Sequence, residues 1–215
     1  GPEISVCSTK AFTSQITILS LFSLLMGTLH HLSKDDGQCF LNELKALPKV
    51  IEEILAQSQK FETLAKKYAS FDQFFFLGRH YMHPTALEAA LKLKEISYLN
   101  AFGCPAGEMK HGPIALVNPE LAVIGLCGNG RTYEKMLSNL SEVKARGAPI
   151  LAFAFEGSLE VEAIADDVFY LPPICDELAS IPFSVALQLL AYYIAKEQGT
   201  DIDQPRNLAK SVTVE

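Results

Sequence analysis

No stretch of this 215-residue chain gathers five or more Lys and Arg. With a formal charge of −7 and a pI near 5.3, it offers no basic surface to a phosphate backbone, so nucleic acid is not an expected partner. An anionic sugar phosphate needs only a few placed donors, and net charge does not exclude it. The sequence also lacks any C-x-x-C pair. Its five cysteines, Cys7, Cys39, Cys104, Cys127 and Cys175, are odd in number and far apart. That pattern argues for reduced thiols in a cytoplasmic protein, most of them small core residues, and against a disulfide framework or a zinc site. There is no G-x-x-x-x-G-K-[ST] loop, and Gly78 alone after an apolar run is not a dinucleotide fingerprint. His80 and His83 form H-x-x-H without a third ligand at metal spacing, so neither a metal nor another cofactor is expected. The most apolar run, Ile16 to Met26, is too short for a bilayer and is interrupted by Thr17, Ser20 and Ser23. Only Lys10 precedes it closely and no cleavage pattern follows, so a buried helix is expected and membrane partners are not.

What is present is the composition of a soluble globular protein, 49% apolar and 20% charged. Residues 9–32 read as one helix, and residues 40–69 as a second helical pattern broken near Pro48 and Ser58. From there the rhythm changes. Phe74 to Leu77 is a short, wholly apolar run ending at Gly78, as in a strand buried on both faces. Pro84 opens a helix to about Leu99. Strands at 121–126, 149–155 and 167–171 then alternate with helices at 133–146 and 180–198. Such alternation predicts an α/β fold, a doubly wound parallel sheet with right-handed crossovers. The expected division is 1–57 as the helical end of a preceding domain, 58–200 as a complete α/β domain, and 201–215 as a tail.

Three segments carry chemistry. In the helix over 84–99, Glu88, Lys92 and Glu95 stand at i, i+4 and i+7, within an arc of about 60°. One reading is a solvated Glu–Lys face worth a few tenths of a kcal/mol. The other is a carboxylate base beside an ammonium, facing a cleft at the carboxyl ends of the strands, where open α/β sheets bind ligands. Residues 103–113, GCPAGEMKHGP, hold three glycines and two prolines and carry Glu108, Lys110 and His111. A histidine on such a loop is an acid–base candidate, because imidazole titrates near neutrality. The terminal DQPRNLAKSVTVE is either a frayed tail or a segment packed through Leu208, Ala209 and Val212, which would hold Lys210 in place.

ALKLKEISY at 90–98, AGEMKHGP at 106–113, STKAFTSQ at 8–15 and DQPRNLAKSVTVE at 203–215 resemble, in order and separation, the isomerase (SIS) half of glutamine:fructose-6-phosphate amidotransferases. The resemblance covers the whole chain. It implies an SIS-type three-layer sandwich and a part in making glucosamine 6-phosphate from fructose 6-phosphate and glutamine-derived ammonia, within a homodimer and beside a glutaminase domain. It implies Glu95 as the carboxylate moving a proton between C1 and C2, and Lys210 as the Schiff-base lysine. His111 would open the sugar ring across the dimer interface. Lys92 would assist proton transfer with Glu88 orienting it, while Val6, Ser8 and Ala209 line the sugar. The Ser/Thr-rich loop with which this family grips the phosphate would lie before Gly1. Residues 204–215 are then expected to have little to dock on. A non-catalytic sugar-phosphate-binding SIS module is the alternative.

Overall fold

In the computed structural model, which describes residues 1–211, helices α1 (Lys10–His30), α2 (Lys34–Leu55) and α3 (Ser58–Tyr68) precede the first strand. Then follow β1 (Gln73–Gly78), α4 (Met82–Ser97), β2 (Asn100–Pro105), β3 (Leu121–Cys127), α5 (Tyr133–Lys144), β4 (Ile150–Phe155), β5 (Asp167–Leu171) and α6 (Ser180–Gln198). The five strands are all parallel and lie in the order β2-β1-β3-β4-β5. This is the doubly wound α/β fold expected.

Strand alternation builds two cores. Phe74, Phe76, Ile124, Leu151, Phe153 and Phe155 face the layer of α2, α3, α4 and α6. Phe75, Leu77, Val123, Ile150 and Ala152 face α5 and the short 3₁₀ turns. Both faces being covered explains why the central strands read as unbroken apolar runs.

Three expectations need correction. Strand β2 was hidden in a segment read as irregular: it lies at the sheet edge, contains Gly103 and ends on Pro105, so it lacks the apolar signature. Gly103 is needed where it stands, because a Cβ there would come within 2.6 Å of the Leu87 backbone in α4. Pro48 does not break α2. One N–H bond is lost, but buried Leu44, Leu47, Val50 and Ile54 form a stripe spanning both sides of the proline and packing against the α6 layer. Finally, α1 is not buried. None of its residues is enclosed, and Ile18, Leu19, Phe22, Leu25 and Leu29 are exposed. It is apolar on most sides, whereas only α2 and α6 make substantial contact with it among the described residues. By length and hydropathy alone it is apolar enough to cross a membrane.

Candidate active site

Helix α4 packs on the sheet and on α6, and it is buried on more than one side. Lys92 lies within that burial, only 3% exposed. Its ammonium stands 2.8 Å from Glu95 Oε2 and 3.3 Å from Glu88 Oε1. The solvated-face reading therefore fails: these charges are a partly buried trio set one helical turn apart. Burial alone drives a lysine toward its neutral form. Here the hydrogen bond that Lys92 donates to Glu95, with the negative charges of Glu88 and Glu95, outweighs it and raises Lys92 above its ordinary range, so it is held as an ammonium.

The amino-terminal segment closes over this trio. Cys7 is buried, and its Sγ lies 3.1 Å from Glu95 Oε2. Ser5 Oγ donates to the Ile202 carbonyl at 3.0 Å, and Val6 N–H donates to the Asp203 carbonyl at 3.0 Å, which ties the segment to the tail. Tyr98 ends α4 in the left-handed conformation, φ 63°, where a non-glycine residue is uncommon. Its hydroxyl accepts the Arg206 N–H at 2.8 Å and its ring lies under the Arg206 guanidinium, 4.2 Å from the centroid. The tail thus has a dock, contrary to expectation for residues 204–211. Lys210 is not held by packing, since Leu208 and Ala209 are exposed and Val212 lies outside the described residues. Polar contacts hold it instead: Glu3 Oε2 at 3.1 Å, the Ser5 carbonyl at 2.9 Å and the Val6 carbonyl at 3.5 Å.

Glu3 serves two ends at once. Its other oxygen accepts from Thr9 N–H at 2.9 Å and Ala11 N–H at 2.8 Å, satisfying the free amides that open α1. Burial pushes this carboxyl up, but the amide bonds from Ala11 and Thr9 together with the Lys210 ammonium outweigh it and hold it down at about 2, against an ordinary 4.5. A depressed carboxyl stabilises the fold fully above its unfolded value and loses that contribution as pH falls through the folded one. The unfolding midpoint of wild type should therefore exceed that of Glu3→Gln by a gap that is full above pH 4.5 and closes near pH 2. A gap constant over that range would mean that Glu3 acts through packing rather than charge.

The site is not at the carboxyl ends of the strands. α4 runs back antiparallel to them, so its last turns, with Lys92 and Glu95, return to the amino ends, where Asn100 N–H meets the Asp72 carbonyl. Past the carboxyl ends of β1 and β3, where such sheets ordinarily bind ligands, the Asp176 carboxylate lies so close to Gly130 that a Cβ there would overlap it. A cavity of about 590 Å³ lies elsewhere again, between α1 and α2, with Ile16, Leu24 and Phe40 in its apolar lining.

His111 stands apart. It is exposed at the end of a 3₁₀ turn (Ala106–His111), and among the described residues no hydrogen bond or ion pair joins it to the trio. The turn itself is fixed, by buried Met109 and by Lys110, whose ammonium is 2.8 Å from Glu142 on α5. Ser8 flanks Cys7 but shares no side-chain hydrogen bond with the cluster among the described residues. Glu3, Cys7 and Tyr98 were not singled out from sequence. The first is a lone carboxylate, the second reads as a core cysteine, and only its place at the end of ALKLKEISY marked the third.

The sequence pattern of the SIS domain matches residues 67–196. This chain belongs to the SIS domain family. Over its whole length the SIS chain is 50% identical to a Thermus thermophilus protein named glutamine–fructose-6-phosphate aminotransferase [isomerizing], spanning 36% of that relative. It is 47% identical to the Bacteroides thetaiotaomicron protein of the same name, spanning 35%. Among solved structures, the C-terminal domain of the glucosamine-fructose-6-phosphate aminotransferase of Francisella tularensis superposes with a TM-score of 0.90 at 37% identity, over 95% of this SIS chain and 58% of that one. A glucosamine-6-phosphate deaminase from Thermotoga maritima gives 0.73 at 26% identity, over 99% and 59%.

Proposed function

We propose that the chain is the carboxy-terminal part of the isomerase half of a glutamine–fructose-6-phosphate aminotransferase. The whole enzyme would turn fructose 6-phosphate and glutamine-derived ammonia into glucosamine 6-phosphate in the cytoplasm. The observation that carries this reading is the placing of Glu95 and Lys210 around one segment, residues 3–7, which holds Lys210 through Glu3, Ser5 and Val6 and Glu95 through Cys7. A module that only binds a sugar phosphate needs neither a carboxylate paired with a buried ammonium nor an anchored terminal lysine.

Each group has a chemical part. Ketose-to-aldose conversion needs an open-chain sugar, a base between adjacent carbons and stabilisation of the enediol-like intermediate. Glu95 takes the proton from C1 and returns it to C2, or the reverse. Lys92, fixed as an ammonium beside it, stabilises negative charge as it develops, and Glu88 fixes Lys92. Lys210, once deprotonated, attacks the C2 carbonyl and expels water to form the Schiff base. Val6, Ser8 and Ala209 border the sugar. His111, carried on a fixed turn outside the cluster, opens the ring in the site of a second copy, which would make the enzyme a homodimer. The exposed apolar face of α1 supports further protein packing there, as expected if residues 1–57 end a preceding SIS domain. A glutaminase domain would supply the ammonia.

The test is trapping. Borohydride added to the full-length protein with fructose 6-phosphate should leave a reduced sugar adduct on Lys210. Lys210→Arg should leave none, because a guanidinium stays protonated and cannot attack the carbonyl. Mass spectrometry that finds the adduct undiminished in the variant removes Lys210 from the chemistry and returns the chain to the non-catalytic reading.

A further inference from the structure

Both donors to Glu95 meet the same atom. Lys92 Nζ is 2.8 Å from Oε2 and Cys7 Sγ is 3.1 Å from Oε2, while among the described residues no hydrogen bond reaches Oε1. We propose that Cys7 is a positioning residue: its thiol and Lys92 together pin Oε2, leaving Oε1 as the oxygen that carries the proton between C1 and C2. This deepens the reading of Glu95 as the base and rests on it.

The terminal torsion of a glutamate is broad, so an anchor on one side leaves the carboxylate free to turn. Lys92 reaches Oε2 from within α4, one turn earlier. Cys7 reaches it from a different element, and its own backbone is held by Ser5 Oγ at 3.2 Å. Two anchors on separate elements fix the plane that one would leave loose. The charged and titratable groups facing Glu95 are Lys92 and Glu88 from α4 and Cys7 from the amino-terminal segment. Burial, chiefly, and the hydrogen bond to Glu95 push the Cys7 thiol up to about 12 against the opposing pull of Lys92, so it stays a neutral S–H and can donate. Because a thiol is a weak donor, it orients the carboxylate while withdrawing little of the basicity the reaction uses.

Two measurements test the assignment. The first is the S–H stretching band of this chain by infrared spectroscopy. Wild type should show a component at lower wavenumber than that of Cys127, which is buried. That component should vanish in Cys7→Ser and move to higher wavenumber in Glu95→Gln. The second is turnover of the full-length protein. Cys7→Ala should lower kcat roughly 3–30-fold, a modest loss of orientation, with KM for fructose 6-phosphate within about twofold. Cys7→Ser, whose hydroxyl donates to the same oxygen, should recover most of it. An S–H band indifferent to Glu95→Gln overturns the hydrogen bond. Wild-type kcat in Cys7→Ala, with Glu95→Gln inactive, overturns the positioning role alone. Full activity of Glu95→Gln overturns the base reading, and the role of Cys7 with it.

Discussion

Glu95→Gln in the full-length protein is expected to slow the isomerisation of fructose 6-phosphate by roughly 10²–10⁴-fold, the usual cost of a lost general base. The amide keeps the shape of the side chain and removes its ability to accept a proton. Glu88 cannot substitute: its Oε1 is engaged with Lys92 at 3.3 Å, and it stands nearly two turns back along α4. Glu88 leaves Lys92 one carboxylate after Glu95 is neutralised, so the fold should survive. The loss should fall on kcat more than on KM, since the group acts on the reacting carbons and not on the phosphate. Incorporation of solvent deuterium at C1 and C2 should fall in parallel. A folded variant that keeps turnover within tenfold of wild type, with deuterium still entering the sugar, would rule Glu95 out as the base.

The sheet was legible because buried parallel strands write themselves as unbroken apolar runs, and Phe74–Leu77 and Ile150–Phe155 each sit between two covering layers. Strand β2 was not, because an edge strand needs no such run and carries Gly103 and Pro105. The trio on α4 was legible as a spacing, since 3.6 residues per turn places Glu88, Lys92 and Glu95 on one side whatever surrounds them. Its burial was not, because that depends on α6 and on residues 3–9, about 90 positions away in either direction. Its place in the sheet was misread for a related reason. The rule that ligands bind at the carboxyl ends of strands describes loops that follow strands, whereas these residues lie near the end of a helix that has already returned. Lys210 was located through the terminal motif, but its anchorage was expected from Leu208, Ala209 and Val212. A sequence separation of 207 residues between Glu3 and Lys210 leaves no local pattern to read.

Lys92→Met should destabilise the chain by about 3–5 kcal/mol, as expected when one member of a buried ionic group is removed. Methionine fills much of the same volume, so the loss is not a cavity effect. It comes from leaving Glu88 and Glu95, with side chains only 15% and 22% exposed, facing each other without the ammonium between them. Against a typical total stability of about 5–15 kcal/mol, that is a large fraction, and urea midpoints should report it directly. A second variant separates charge from packing. Adding Glu88→Gln and Glu95→Gln to Lys92→Met removes the stranded charges while preserving shape, and should recover most of the lost stability. The combined effect must then be strongly non-additive, because all three side chains share one network. A triple variant as unstable as Lys92→Met alone would mean that lysine's contacts along its methylene stem, and not its charge, hold this part of α4 in place.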